Sequence, residues 1–146
     1  MSLHTIVLAA GEGSRMKSNK GKSLQRIGGR SMLEMICETA GKISEKITLI
    51  LGFDKESILK ESENYNLNIS SCEQPEPKGT GDAVKCGIAE AKDASKVLVL
   101  YGDVPLIKEN TLQELVDSCN EGISILTTVL ENPYGYGRVE KDSDGM

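Results

Sequence analysis

The residues best suited to chemistry cluster near the amino terminus. Leu8-Ala9-Ala10-Gly11-Glu12-Gly13-Ser14-Arg15-Met16 follows an apolar run, and Lys22 stands eleven residues beyond Gly11. Ala-Ala-Gly lets another group approach the backbone closely. Gly11 and Gly13 free amide N–H groups for an anion-binding concavity. Arg15 and Lys22 bring positive charge to the same place. Together these residues describe a phosphate site. The competing view is a glycine-rich surface turn.

Other phosphate and hydrolase motifs fail here. Gly11-x-Gly13 opens like a dinucleotide fingerprint, but the third glycine is Met16. Gly21-Lys22-Ser23 ends like a Walker A loop, yet its first glycine would fall at Met16 and no strand directly precedes it. There is no GxSxG, and His4, the single histidine, falls at a strand start where a structural role is expected. With one histidine and cysteines at 37, 72, 86 and 119, no familiar zinc spacing exists. The cysteines read as reduced core thiols of a cytoplasmic protein.

Charge supports a small anionic ligand. The 146 residues carry a formal net charge of −5. Between Glu12 and Glu34, however, Arg15, Lys17, Lys20, Lys22, Arg26 and Arg30 give +6 with no acid, leaving −11 elsewhere. A basic island in an acidic body suits a polyphosphate better than nucleic acid, although a solvated basic loop would look the same. Aromatics are only 3%, too few to build base-stacking platforms. No apolar run approaches the ~20 residues of a membrane span, so no membrane partner is expected.

Elements that must hold these residues follow from periodicity. Strands are predicted at His4–Ala9, Lys46–Leu51, Leu67–Cys72, Val97–Tyr101 and Ile123–Leu130. Val97–Tyr101, continuously apolar, reads as a central strand covered on both faces. Helices are predicted after Ser31, with Leu33, Ile36 and Ala40 inward and Glu34 as capping-box partner; at Asp54–Asn64, with Ile58 and Leu59 inward and Asp54 as cap; at Gly81–Lys92, with Ala83, Val84, Ile88 and Ala91 inward; and at Glu109–Asn120, with Leu112, Leu115, Val116 and Cys119 inward. Such alternation predicts one α/β domain with a doubly wound, mostly parallel sheet. Ligands of such folds sit beyond the carboxyl ends of the strands, here at residues 10–22, 74–81 and 102–105.

Three more segments share a pattern with the first. They are Gln74 followed by Gly79-Thr80-Gly81-Asp82-Ala83, then Leu100-Tyr101-Gly102-Asp103-Val104-Pro105-Leu106-Ile107, then Asn132-Pro133-Tyr134-Gly135-Tyr136-Gly137-Arg138-Val139. From about Ile6 to Val139 the chain resembles the sugar-nucleotidyltransferase superfamily. Within it, the chain is similar to the uridyltransferase domain of the bacterial bifunctional N-acetylglucosamine-1-phosphate uridyltransferase/glucosamine-1-phosphate acetyltransferases. The resemblance implies a Rossmann-like nucleotidyltransferase fold and uridylyl transfer from UTP to N-acetylglucosamine-1-phosphate, releasing pyrophosphate and supplying a cell-wall precursor. It also implies that residues 1–146 form only the amino-terminal portion of that domain, without the acetyltransferase half or the oligomer of the full-length parent.

By the same resemblance Leu8, Ala9, Ala10, Gly11 and Gly13 line the nucleotide. Arg15 holds the leaving phosphates, Lys22 the α-phosphate. Gln74 reads the uracil edge, Gly79 and Thr80 meet base and ribose, and Tyr101 and Gly102 border the ribose and sugar. Gly137 meets the acetamido sugar, and Asp103 binds Mg²⁺. The chain departs from the pattern at Gly21, where proline is usual and where glycine is expected to loosen the lysine loop. Pro77 and Lys78 replace Gln-Leu, Asp82 replaces histidine, and Tyr134 replaces threonine. Transfer of another nucleotide to another sugar phosphate or cofactor precursor, or a non-catalytic nucleotide-binding module, remain open alternatives.

Overall fold

A computed structural model describes residues 2–13 and 18–140. Six strands and four α-helices run in the order β1 (Leu3–Leu8), β2 (Arg26–Ile27), β3 (Arg30–Ser31), α1 (Met32–Gly41), β4 (Lys46–Leu51), α2 (Lys55–Ser62), β5 (Ile69–Glu73), α3 (Thr80–Ile88), β6 (Lys96–Tyr101) and α4 (Glu109–Ser118). A single 3-10 turn, Lys22–Leu24, precedes β2, and another, Ala89–Ala91, extends α3. The main sheet has the order β5-β4-β1-β6, and each of its pairings is parallel. Strands β2 and β3 form a separate antiparallel pair.

The core is aliphatic, in keeping with the shortage of aromatics. On one face of the sheet Val7, Leu49, Leu51, Leu98 and Leu100 pack against Leu33, Ile36 and Ala40 of α1, Ile58 of α2 and Leu112 of α4. On the other face Ile6 and Ile50 pack against Ala83 and Val84 of α3. Helices therefore cover both faces, as the doubly wound reading requires. Beside that second cluster runs a buried polar relay across three strands. The His4 ring Nε2 lies 2.8 Å from Thr48 Oγ1, which lies 2.8 Å from Ser70 Oγ. Burial lowers the His4 pKa, and Lys46 lowers it further, against an opposing pull from Glu90. His4 is structural.

Several expectations need correction. Among the described residues, strand β6 stands at the edge of the sheet rather than at its centre: the chain leaves β5, returns to the far side of β1, and no further described strand pairs with β6. Helix α3 lies over β1, β4 and β5, so Val97, Val99 and Tyr101 of β6 stay exposed while Leu98 and Leu100 are buried. Residues 123–130 form no strand and are largely exposed. Their β-branched pattern is a local preference, whereas a strand also needs a neighbour for its backbone. Leu59 and Ile88 face outward, not inward. At α1, Ser31 Oγ accepts from Glu34 N at 3.1 Å as predicted, but the Glu34 carboxylate accepts from Arg30 Nε instead of closing a capping box. Asp54 does not cap α2. It takes a left-handed conformation (φ 56°) and turns its carboxylate elsewhere.

No helix among the described residues is long and apolar enough to cross a membrane. The four cysteines are free thiols, and burial pushes the Cys37 thiol up to about 12.

Candidate active site

The chain crosses from one side of β1 to the other between β4 and β6. This topological switch point leaves a crevice at the carboxyl ends of the strands, where α/β folds bind ligands. A pocket of about 560 Å³ lies there. It is bordered by Leu8, Ala9, Ala10, Gly11 and Gly13 after β1, by Lys22, by Gln74, Gly79 and Thr80 between β5 and α3, and by Tyr101, Gly102 and Asp103 after β6. Segments far apart in sequence thus meet around one cavity. Ser23, Pro77 and Ala83 also line it, and sequence reading had not singled them out as ligand-facing.

The turn after β1 is held from below. Ala9 N donates to Ile50 O at 3.0 Å and Phe53 N to Ala10 O at 3.2 Å. A methyl group at Gly52 would lie 2.8 Å from Ala10 Cβ and 2.9 Å from Ala10 O, so only glycine allows β4 to support the turn this closely. Sequence reading missed Gly52, since nothing local marks a glycine needed by a partner strand. No carbonyl of a described residue accepts from the N–H groups of Ala10, Gly11, Glu12 or Gly13. N–H groups of such a glycine-containing turn are the kind of donor an anion-binding nest uses.

Lys22 is brought over that turn. Its N donates to Gly11 O at 3.4 Å. Gly13 has φ 66°, and a Cβ there would lie 2.7 Å from Lys22 Cβ, so the glycine satisfies both the backbone and the close approach. Lys22 Nζ forms an ion pair with the Asp103 carboxylate, which Gly102 and β6 place opposite. Gly21, expected to loosen the lysine loop, also gives that loop a tie. Its N–H donates to Asp54 Oδ2 at 2.9 Å, a bond proline could not make. The left-handed Asp54 thus anchors the loop.

The basic island divides. Arg26 pairs with Glu61, and Arg30 with Glu34 and Glu38, on the β2–β3 hairpin and its neighbours rather than in the pocket. Lys22 supplies charge to the cavity itself. Arg15 lies outside the described residues. Gly137 is described, is exposed and does not border the pocket.

At the other end, Gln74 is buried, and its side-chain Nε2 donates to Asp82 Oδ2 at 2.9 Å and to Gly79 O at 3.3 Å. Ser23 Oγ, next to Lys22, is a buried hydroxyl with no hydrogen-bond partner among the described residues. Those residues contain no cluster of three or more His, Cys, Asp or Glu side chains fit for a metal. Asp103 is instead a single carboxylate at a cavity wall. That fits a hard cation that arrives with phosphates and takes one or two carboxylates from the protein. It does not fit a metal held by protein alone.

A glycine-amide nest, a lysine and a carboxylate at the switch point of a parallel sheet define a nucleotide-handling α/β domain. Residues 5–136 match the family model of the MobA-like NTP transferase domain, and the chain belongs to that family. It is 42% identical over 144 residues to the bifunctional protein GlmU of Thermotoga maritima, a match covering 97% of this chain and 32% of that protein. The chain therefore spans about a third of the length of that relative. Among solved structures it is similar to 4-diphosphocytidyl-2C-methyl-D-erythritol synthase from Anaerococcus prevotii, at 26% identity and TM-score 0.64, over 80% of this chain and 50% of the other. It also shares the fold of a UDP-glucose pyrophosphorylase solved with UDP-glucose, at 19% identity and TM-score 0.65, over 81% and 54%. The chain is thus a nucleotidyltransferase-fold protein, similar to the amino-terminal third of GlmU.

Proposed function

We propose that this chain forms the UTP-binding part of a cytoplasmic N-acetylglucosamine-1-phosphate uridyltransferase. The observation that carries the proposal is the meeting of the Ala10–Gly13 turn, Lys22, Asp103 and Gln74 around one cavity. A nucleoside triphosphate laid across it puts phosphates on the amides of residues 10–13 and Lys22, and the base against Gln74.

The reaction asks little proton chemistry of the protein. A sugar phosphate oxygen attacks the α-phosphorus in line, the bond to the bridging oxygen breaks, and pyrophosphate leaves with that electron pair. The nucleophile is already an anion, so no general base is required. Catalysis reduces to positioning and to neutralising charge as it grows. Lys22 neutralises it at the α-phosphate in this reading. Asp103 would hold Mg²⁺, which supplies further charge neutralisation when bound with the nucleotide. The nest at Ala10–Gly13 binds the phosphates and fixes their orientation.

The similarity to GlmU supports a uridine nucleotide and a sugar phosphate over other substrates. Gly137, assigned to the sugar, does not border the pocket, so the geometry supports nucleotide binding more strongly than it supports turnover. Two assays test this reading. In a thermal-shift panel with Mg²⁺ and each of the four common NTPs, UTP should raise the midpoint most. A clear preference for GTP ends the uridylyl reading. Pyrophosphate release from UTP and N-acetylglucosamine-1-phosphate should be weak or absent. Robust turnover would show that Gly137 reaches the sugar when substrate binds, or that its contact is dispensable.

A further inference from the structure

Asp82 stands where the related pattern has histidine, on the first turn of α3, and its carboxylate touches Gln74. A carboxylate near a helix amino terminus is ordinary, since it complements the helix dipole. Its contact is less ordinary. A primary carboxamide has a donor end and an acceptor end, and its partners decide which way it faces. Both partners of this one are acceptors: Asp82 Oδ2 at 2.9 Å and the Gly79 carbonyl at 3.3 Å. The two N–H bonds of Nε2 are thereby committed inside the protein. Turning the amide over would set Oε1 against two acceptor oxygens in a site where Gln74 is only 7% exposed.

The opposite end is left for the ligand. No described residue donates to Gln74 Oε1. That oxygen is also absent from the sealed, unpartnered polar atoms, of which Ser23 Oγ is the one found among the described residues. Among the described residues, Gln74 Oε1 is therefore the end of the carboxamide left to meet a ligand in the pocket that Gln74 lines.

We infer that Asp82 is a positioning residue: it locks the Gln74 carboxamide with its acceptor toward the pocket, so that the site selects a base whose ring nitrogen is an N–H donor. Among pyrimidines that is the imide N3–H of uracil. Cytosine presents a lone pair at the same ring position. This inference rests on the nucleotide-binding reading above and adds how one base is chosen. A site built around a fixed hydrogen bond rejects a ligand that leaves it unpaired or opposed.

The test is equilibrium binding of UTP, CTP and inorganic tripolyphosphate, each with Mg²⁺, to the wild-type chain and to Asp82→Asn and Asp82→Ala. Asparagine has nearly the shape of aspartate but can face either end of the Gln74 amide, which frees the lock without a cavity. Alanine removes the partner altogether. The wild type should prefer UTP over CTP by about tenfold or more, a factor one well-made hydrogen bond can supply. Asp82→Asn should bring the ratio to within about threefold, with tripolyphosphate binding and thermal midpoint unchanged. Asp82→Ala should do the same if the loss is one of orientation. An unchanged UTP:CTP ratio in both variants, or a wild type that prefers CTP, overturns the inference while leaving nucleotide binding intact. A wild type that binds none of the three ligands overturns the underlying reading itself.

Discussion

The bond between Gly21 and Asp54 makes a prediction that can be worked through in free energy. Gly21 sits at φ −49°, ψ 143°, a conformation that alanine and proline both adopt. A Cβ there meets Asp54 Cβ at 3.5 Å, Ile58 Cδ1 at 3.7 Å and Phe53 O at 3.7 Å, all ordinary contacts. Gly21→Ala keeps the N–H and restricts the unfolded chain, so it should stabilise by about 0.4–1 kcal/mol. Gly21→Pro gains at least as much from restriction but loses the donor to Asp54 Oδ2. A hydrogen bond to a charged group contributes about 1.5–3 kcal/mol. Gly21→Pro should therefore be about 1.5–3 kcal/mol less stable than Gly21→Ala. Proline also restricts Lys20 before it, an effect independent of Asp54. The cycle is closed with Asp54→Gly, which removes the carboxylate and suits the left-handed φ of 56°. In that background the gap between proline and alanine should shrink to the part due to Lys20. Urea unfolding of the six proteins, with free energies extrapolated to water, measures each corner. Equal stability of the proline and alanine variants in the wild-type background, or a gap that Asp54→Gly leaves undiminished, would refute the claim that this bond fixes the lysine loop.

Other outcomes follow from the same structure. Gly52→Ala sets a methyl group against the Ala10 backbone. It should destabilise by about 1–3 kcal/mol on overpacking and weaken UTP binding, as read by urea unfolding and titration. Lys22→Ala removes the cation that pairs with Asp103. It should weaken UTP binding about 10–100-fold, while Asp103→Asn should mainly blunt the gain in affinity on adding Mg²⁺. The two variants separate in a titration with and without the metal. His4 has a pKa lowered by burial, so its contribution is fully present above about pH 6.5, the unfolded value, and is lost as pH falls from there through the folded value. The urea midpoint should drop across that range, and less so in His4→Gln.

The parts of this molecule that were legible in the sequence depend on local rules. Val7, Leu49 and Leu98 announce strands by their surroundings, Ser31 announces a cap, and glycines after an apolar run announce a phosphate turn. What was not legible depends on neighbours in space. Val97–Tyr101 has the composition of a central strand, yet among the described residues the return across β1 leaves it at an edge with one bare face. Residues 123–130 have strand-forming side chains but no strand beside them. Asp54 looked like a helix cap, and its real partner is 33 residues away in sequence at Gly21. Arg26 and Arg30 count toward the basic island by charge alone, and the acids that pair with them come from α1 and α2. Most of the residues bordering the cavity were named as ligand-facing from motif context, Ser23, Pro77 and Ala83 were not, and the distances between them come only from the fold.

The central claim is that the Ala10–Gly13 turn and Lys22 receive the phosphates of UTP while Gln74 meets its base. A crystal structure of the chain grown with UTP and Mg²⁺ tests it most directly. The account predicts triphosphate density over the amides of residues 10–13 and beside Lys22 Nζ, with the uracil at Gln74. Nucleotide bound elsewhere on the protein, or an empty cavity at millimolar UTP, would contradict it.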